Sequence, residues 1–217
     1  MIDLHTHSLL SDGELLPEEL VRRYEAQGYK ALAITDHVGP SNLEWVIESL
    51  LKLCEQIGPY TQIKVIPGVE ITYCPPALIP GLIERSRSLG ASLVVVHGET
   101  IVEPVPAGTN LAAIEGKADI LAHPGLISLK EVELAKKFEV FLEISARRGH
   151  CLTNGHLVKL ARTSGAKLVF GSDAHAPEDI PPTEMIKKVA MGAGLYEDEF
   201  KVLLQNMESL IKRCQSF

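Results

Sequence analysis

Short apolar runs and longer amphipathic segments alternate along the whole chain. The apolar runs are rich in valine, isoleucine and leucine and end at a polar residue or a glycine, which is typical of buried parallel strands. They predict strands at 2–5, 31–35, 63–71 (interrupted at Pro67), 93–96, 120–122, 140–144 and 167–170. The segments between them have helical spacing and predict helices at 17–28, 41–56, 82–89, 129–138, 154–164, 183–191 and 198–214.

Local signals mark the ends of several of these segments. Pro17 suits the first turn of a helix, and Gly28 suits the end of the same helix. Ser128 and Glu131 have the spacing of a capping box, which predicts a helix start at that point. Residues 99–110 contain two prolines and a glycine, and they predict a loop.

Seven strand–helix steps, joined by short connections and without a sequence repeat, predict a parallel sheet. An open doubly wound sheet uses few strand ends for its site, at the point where the strand order reverses. A closed barrel presents the carboxyl end of every strand to one mouth. Because potential metal ligands follow strands one, two, three, four, five and seven, the sequence favours an α/β fold of the closed, TIM-like β/α barrel type. The site is expected at the C-terminal mouth.

Composition narrows the class of protein further. The 217 residues, 46% of them hydrophobic with a mean hydropathy of +0.11, suffice for one barrel domain over 1–217, with its last helices (about 183–217) packed outside. No apolar run reaches the ~18 residues of a membrane span, so we expect no membrane segment. We expect no signal peptide either, because a ligand-bearing strand begins within the first few residues. Four cysteines without a C-x-x-C pair indicate a reduced, cytoplasmic protein. A net charge of −7 argues against a nucleic acid partner.

Histidines and acids gather where the predicted strands end. Six of the eight histidines lie at the end of an apolar run or within two residues of it: His5, His7, His37, His97, His123 and His175. Glu70 and Asp173 occupy equivalent positions. In extended backbone, residues two apart project to the same face, so Asp173 and His175 point at one object. Imidazoles and carboxylates at the mouth of a barrel predict a divalent metal site. His150 and His156 do not share this pattern: His156 lies in a predicted helix and is expected at the surface, whereas His150 could reach the mouth, although a role as a ligand is not favoured.

A series of short motifs occurs in order: His5-Thr6-His7-Ser8, Ser11-Asp12-Gly13, Ile34-Thr35-Asp36-His37, Pro67-Gly68-Val69-Glu70, His97, His123-Pro124 and Gly171-Ser172-Asp173-Ala174-His175. The set, which spans residues 3–175, resembles the PHP (polymerase and histidinol phosphatase) superfamily of metal-dependent phosphoesterases. The resemblance implies a distorted seven-stranded β/α barrel. It also implies two or three divalent ions of zinc, manganese or iron, and hydrolysis of phosphate esters.

The resemblance assigns each ligand to a metal. The first metal is expected to bind four side chains: His5, His7, Glu70 and Asp173. The second is expected to share Glu70 as a bridge and to bind two histidines: His97 and His123. The third is expected to bind Asp12, His37 and His175. The bound ions would activate a hydroxide for attack on phosphorus. Three ligands are therefore expected to be catalytic because they hold these ions: Glu70, Asp173 and His175.

Other polar residues near the strand ends are weaker candidates. Arg147 and Arg148 follow the sixth strand and are candidate substrate ligands, because a guanidinium binds phosphate through two parallel hydrogen bonds. Asp3 alternates in phase with the first histidine pair and predicts a buried, hydrogen-bonded acid. Asp36 is expected to orient a neighbouring ligand or to cap a turn. Glu99 is expected to be a solvated loop acid.

Two other enzyme classes remain as alternatives. One is a binuclear metal hydrolase of the amidohydrolase type, although the strand-end lysine that often bridges the metals of such barrels has no counterpart here. The other is a phosphodiesterase or exonuclease-like enzyme acting on a nucleotide or short oligonucleotide. We predict a phosphatase, histidinol-phosphatase-like, for a phosphorylated small molecule that the loops at 72–80, 99–110 and 147–153 select. The last helix is a candidate surface for a homo-oligomer contact.

Overall fold

A computed structural model describes residues 1–214 of the chain. Its strands are β1 (Ile2–Asp3), β2 (Ala31–Ile34), β3 (His37–Val38), β4 (Lys64–Ile71), β5 (Leu93–His97), β6 (Ile120–Ala122), β7 (Phe141–Ser145) and β8 (Leu168–Gly171). All neighbouring strands are parallel, in the order β1-β2-β4-β5-β6-β7-β8, and the short β3 follows β2 and also pairs with β4. Seven parallel strands thus form a nearly closed barrel, which confirms the predicted fold class.

The barrel closes at its mouth, between the chain segments that follow β1 and β8. Thr6 and Ala174 form a parallel bridge. The backbone N–H of His7 donates to the carbonyl of Ala174 at 2.9 Å, and the N–H of Asp173 donates to the carbonyl of His5 at 2.9 Å. These hydrogen bonds bring the first and last motifs of the sequence side by side.

Helices connect the strands and cover the outside of the barrel. They are α1 (Pro17–Ala26), α2 (Leu43–Ile57), α3 (Ile79–Ser88), α4 (Thr109–Glu115), α5 (Leu129–Phe138), α6 (Asn154–Ser164), α7 (Thr183–Gly192) and α8 (Glu197–Arg213). The predicted capping box is present at the start of α5, where Ser128 Oγ accepts from Glu131 N–H and the Glu131 carboxylate accepts from Ser128 N–H.

Helix α4 was not predicted from the sequence. It is short, and it begins directly after Gly108, which adopts a left-handed conformation. The carboxylate of Glu99 accepts hydrogen bonds from the N–H groups of Gly108 and Asn110, and it thereby satisfies donors that the helix leaves free. Glu99 is thus a partly exposed loop acid that also holds the start of α4, a role that the sequence analysis did not assign to it.

The strands are buried on both faces, as expected for a parallel sheet covered by helices. All residues of β2, β5 and β7 are buried. Helix α8 lies against β8 and buries four large side chains: Phe200, Leu203, Met207 and Leu210. Each contributes about 1.5–3 kcal/mol by leaving water, which accounts for the attachment of this helix to the barrel. Within residues 1–214, none of the helices combines the length and apolar character needed to cross a membrane.

Candidate metal centre

The strand ends bring the nine predicted ligand side chains together at one mouth of the barrel. Five of them line a cavity of about 460 Å³: Asp12, His37, His97, Asp173 and His175. The other four lie buried beneath it: His5, His7, Glu70 and His123. His123 and Asp173 have positive φ values of 26° and 55°. Such strained backbone is typical of residues whose direction matters for function.

Four side chains surround the deepest part of the mouth, and they are those implied for the first metal. His5 Nε2 lies 3.3 Å from Glu70 Oε1, and His7 Nε2 lies 3.3 Å from Asp173 Oδ1. The diagonal distances are 3.7 Å from His7 Nε2 to Glu70 Oε2 and 3.9 Å from His5 Nε2 to Asp173 Oδ1. One cation can therefore contact all four side chains.

The hydrogen-bonding state of these atoms tests whether a metal fits. His5 Nε2, both nitrogens of His7, Glu70 Oε1 and both nitrogens of His123 are buried without a hydrogen-bond partner. Each buried polar atom left unpaired costs about 1–3 kcal/mol. Divalent cations would give the inward-facing nitrogens and the carboxylate oxygen the partners they lack, so the residues present fit a metal centre.

A second group lies on the side of β5, β6 and β7. His123 Nε2 is 3.5 Å from Glu70 Oε1, so these two side chains can share an ion. The ligand nitrogens of His97 and His123 lie within 4.8 Å of each other and of a nitrogen of His150. His150 thus reaches the mouth, a possibility that the sequence left open without favouring it. His156 does lie outside it, on α6, where its Nε2 contacts the carbonyl of Ile127 at 2.7 Å.

A third group lies at the outer edge of the mouth. Asp12 Oδ1 is 3.2 Å from His175 Nε2 and 3.5 Å from His37 Nε2. Asp12 is the most open of the ligands, with 59% of its side chain exposed. The ring of His7 stacks on that of His175 with centroids 4.1 Å apart, so the first and third groups are continuous.

Burial and neighbouring charges set the protonation of these groups. Burial lowers the pKa of His7 to about 3, with a further contribution from the nearby His37. Burial alone would raise the pKa values of Glu70 and Asp173, but the surrounding imidazoles, with His5 foremost, hold both well below their usual range. A neutral imidazole and ionised carboxylates are the forms that bind metals. The pKa of His5 is raised, because Glu143 and Glu70 together outweigh the effect of burial.

Two buried acids hold ligands in place. Oε2 of Glu143, on β7, lies 2.6 Å from Nδ1 of His5, a contact that the sequence analysis did not predict. Asp36 accepts hydrogen bonds from the N–H and Oγ of Ser8 and from Oγ of Ser11. It thereby fixes the turn that presents Asp12. Histidine ligands commonly depend on such carboxylate partners for their orientation.

Asp3 is buried, as the sequence predicted. Its carboxylate accepts hydrogen bonds from the hydroxyl of Tyr24 at 2.9 Å and from the N–H of Ser172 at 3.0 Å. Burial raises its pKa to about 6, although these hydrogen bonds oppose the change. Since Ser172 directly precedes Asp173, Asp3 ties the start of the chain to the strand that carries the last two ligands.

The two arginines after β7 differ in position. Arg147 lines the cavity, with Nη1 2.7 Å from Nδ1 of His175 and 3.0 Å from the carbonyl of Asp173. Arg148 is exposed and does not line that cavity. Arg147 is therefore the better placed of the two to meet a substrate.

A β/α barrel with a ring of imidazoles and carboxylates at its C-terminal mouth defines the class of metal-dependent hydrolases. Within that class the chain belongs to the PHP domain family, whose sequence pattern matches residues 3–175. The predicted family is thus confirmed, and with it the prediction of a phosphoric ester hydrolase.

Relatives and solved structures agree with this membership. A protein of Methanocaldococcus jannaschii, described as uncharacterized, is 47% identical over 214 residues, covering 97% of this chain and 98% of the relative. A probable phosphatase of Thermoanaerobacter is 28% identical over 221 residues, covering 91% and 88%. The Lactococcus lactis histidinol phosphate phosphatase, solved with zinc, L-histidinol and phosphate, superimposes with a TM-score of 0.61 at 18% identity, covering 90% and 94%.

Proposed function

We propose that this protein hydrolyses phosphate monoesters of small molecules at a centre of two or three divalent ions. The observation that carries the proposal is the meeting of three groups of ligand atoms around Glu70 and Asp173, beneath an open cavity that Arg147 lines. The probable phosphatases among the relatives and the histidinol phosphate phosphatase among the solved structures support it.

Each group of ligands has a distinct place in this proposal. The first ion would be held by His5, His7, Glu70 and Asp173. The second would be held by Glu70, His97 and His123, and the third by Asp12, His37 and His175. When bound, such ions lower the pKa of a coordinated water toward neutrality and neutralise phosphoryl oxygens. Zinc, manganese and iron all suit a set of imidazoles and carboxylates.

Charge favours a phosphate in this cavity even though the chain is acidic overall. Three divalent ions against the carboxylates of Asp12, Glu70 and Asp173 leave about three net positive charges. Within a partly enclosed cavity such charge acts on a phosphate more strongly than it would in bulk water. Local charge, and not the net charge of −7, governs binding at this mouth.

Arg147 provides a further cation on the same wall. Its Nη1 donates either to Nδ1 of His175 or to the carbonyl of Asp173. When Nε2 of His175 binds a metal, Nδ1 carries the proton and donates to the carbonyl of Asp173, which lies 3.0 Å away. Arg147 then has no acceptor on His175; Nη1 can still donate to the carbonyl of Asp173, and the remaining N–H groups of the guanidinium can bind a phosphate oxygen.

The shape of the cavity favours a small substrate. It extends from the ligands toward the segments 38–42 and 72–75, where Tyr73, Pro75 and Pro40 form a stiff wall. A phosphoryl group over the metals would leave the organic part of a monoester against this wall. The amidohydrolase-type alternative is disfavoured, because Glu70 takes the bridging place that a modified lysine takes in many of those enzymes.

A hydrolysis screen after loading with manganese, zinc or iron tests the proposal. We expect release of phosphate from p-nitrophenyl phosphate and from phosphorylated metabolites, and none from the Glu70→Gln variant. In ¹⁸O-labelled water the label should enter the phosphate, as attack at phosphorus requires. Activity on bis(p-nitrophenyl) phosphate and dinucleotides without activity on monoesters would favour the phosphodiesterase alternative. Label in the alcohol, or amide hydrolysis without phosphatase activity, would overturn the proposal.

A further inference from the structure

His150 is not part of any motif that the sequence analysis identified, yet it lies buried beside the second group of ligands. It begins the single helical turn His150–Thr153 after β7, and Gly149, with a φ of 93°, turns the chain back toward the mouth. Its ring stacks on that of His123 with centroids 4.1 Å apart and meets the ring of His97 edge-on at 6.0 Å. Three imidazoles thus face one point between β5, β6 and β7.

The hydrogen bonds of these rings direct unprotonated nitrogens toward that point. Nδ1 of His97 lies 3.2 Å from the carbonyl of Gly98, which only accepts, so Nδ1 carries the proton of the neutral ring. Nδ1 of His150 lies 2.7 Å from Oγ1 of Thr100, which can accept a hydrogen bond from a protonated Nδ1 in the same way. The Nε2 atoms of both rings then present lone pairs to the site. His123 Nε2 is buried without a hydrogen-bond partner.

The carboxylate of Glu103 completes the group. Its Oε2 lies 3.0 Å from Nε2 of His97, and its Oε1 lies 3.3 Å from Nε2 of His150. The hydroxyl of Tyr73 donates to Oε2 at 2.6 Å and holds the carboxylate from outside. Glu103 comes from the loop between β5 and α4, and 31% of its side chain is exposed.

These contacts bring carboxylate oxygens against nitrogens that also carry lone pairs. Acceptors that face each other at such distances repel unless a proton or a metal cation lies between them. In a tetrahedral zinc site with bonds near 2.0 Å, neighbouring ligand atoms are about 3.3 Å apart. The separations of Glu103 from His97 and His150 match that spacing.

We propose that His150 adds a third imidazole to His97 and His123 at the second metal, next to the shared Glu70, and that Glu103 is a displaceable ligand of the same ion. The inference rests on the proposed function, because it concerns the same centre. Three imidazoles favour zinc at this position over manganese, which prefers oxygen ligands. Glu103 must move away from His97 and His150 before a phosphate oxygen can take its place, and the loop that carries it is partly open to solvent.

Substitution of His150 tests the first half of the proposal by metal content. After loading with zinc and dialysis against a weak chelator, the His150→Ala variant should retain about one ion fewer than the unchanged protein. The affinity at that position should fall at least about 10-fold, since even loss of a group that only supports a ligand costs that much. His156→Ala, on α6 outside the site, is the matched control and should retain the full content. Equal metal content and affinity in His150→Ala would overturn the proposal.

A ligand exchange keeps the test informative if His150→Ala does not fold. The His150→Cys variant loaded with Co²⁺ should show a thiolate-to-cobalt charge-transfer band in the near ultraviolet, because a ligating thiol is deprotonated by the metal. His156→Cys and the unchanged protein provide the background from other cysteines. A spectrum of His150→Cys that does not differ from this background would place residue 150 outside the coordination sphere and refute the assignment.

Substitution of Glu103 tests the second half. The Glu103→Gln variant should keep its metal content and bind inorganic phosphate several-fold more tightly by titration calorimetry, because the competing charge is gone. Glu115→Gln, an exposed acid on α4, should bind phosphate like the unchanged protein. Unchanged or weaker phosphate binding by Glu103→Gln would contradict the displaceable role. If the unchanged protein binds zinc as described but hydrolyses no phosphate ester, the proposed function fails while the metal-site inference stands.

Discussion

Nδ1 of His5 lies 2.6 Å from Oε2 of Glu143, and both side chains are fully buried although 138 positions separate them in the chain. The contact joins the segment that follows β1 to β7 across the interior of the barrel. It fixes the ring of His5 so that Nε2 faces Glu70 and Asp173. A carboxylate behind a histidine ligand both orients the ring and increases its basicity.

We expect Glu143→Ala to weaken metal binding at the deepest group about 10–100-fold, the usual cost of losing such a carboxylate. Glu143→Gln should fall between that variant and the unchanged protein, because the amide oxygen still accepts from Nδ1 of His5 but the charge is lost. Competition with a fluorescent zinc chelator measures the affinity. Glu133→Gln, an exposed acid on α5, serves as the control. Equal affinities for all four proteins would show that Glu143 does not support the metal.

Gly171 makes the contact between His5 and Glu143 sterically feasible. A Cβ at this position would lie 2.7 Å from Cβ of His5 and would collide with the carboxylate of Glu143. We expect Gly171→Ala to lose metal affinity and to lower the free energy of unfolding by about 1–3 kcal/mol, as is usual for overpacking. Urea denaturation measures the stability. Gly192→Ala, where an added Cβ meets nothing within 4 Å, is the matched control. If Gly171→Ala is as stable as that control, the side chains of His5 and Glu143 can shift to accommodate the added methyl group.

The ligands at strand ends were predictable because the carboxyl ends of parallel strands must meet at one mouth. The position of Asp173 and His175 after an apolar run therefore predicted that they lie near the ligands that follow other strands. Glu143 was not predictable in this way. It lies within an apolar strand, and nothing near it in the sequence identifies His5 as its partner.

His150 and Glu103 were missed for a different reason. Both come from loops, and the direction of a loop depends on tertiary packing that periodicity does not reveal. The positive φ of Gly149 brings His150 back to the mouth, and a glycine in the sequence is compatible with many other backbone paths. Helix α4 was missed because it is too short for its period to stand out from the surrounding loop.

Metal removal should destabilise the protein, because the buried ligand atoms lack other partners. A ligand that binds the folded state alone stabilises it by about 2.7 kcal/mol at a free concentration one hundred times its dissociation constant. For a chain of this size that corresponds to a rise of roughly 5–10 °C in melting temperature. Thermal unfolding with EDTA and with added zinc or manganese measures the difference. The Glu70→Gln variant should respond much less, and an equal response would mean that the ions bind elsewhere.

The ion pair between Arg162 on α6 and Glu199 on α8 predicts a dependence of stability on pH. Two hydrogen bonds of 2.7 Å from Arg162 lower the pKa of Glu199 to about 2, below its ordinary value of 4.5. The folded-state pKa is depressed, so the stabilisation is fully present above pH 4.5 and is lost as the pH falls toward 2.

At pH 7 we expect Glu199→Gln to lower the melting temperature by about 1–3 °C, the small effect of an exposed pair. The amide oxygen can keep the hydrogen bond from the N–H of Tyr196, so the change reports mainly the lost charge. The difference from the unchanged protein should shrink below pH 4.5. Glu208→Gln, an exposed acid on α8, should show neither effect. A difference that stays constant down to pH 3 would mean that the ion pair contributes nothing.

The two neighbouring arginines provide a matched pair for the substrate site. Arg147 contacts His175 and lines the cavity, whereas Arg148 is exposed beside it. A charged hydrogen bond is worth about 1.5–3 kcal/mol, so Arg147→Ala should lower kcat/KM for a phosphate monoester roughly 10–100-fold while Arg148→Ala changes it less than about twofold. Arg147→Lys should recover part of the loss, since it keeps the charge but not the two parallel hydrogen bonds. Metal content, measured in parallel, should stay constant in all three variants. If Arg147→Ala instead loses metal, the arginine acts by holding His175 and not by binding phosphate.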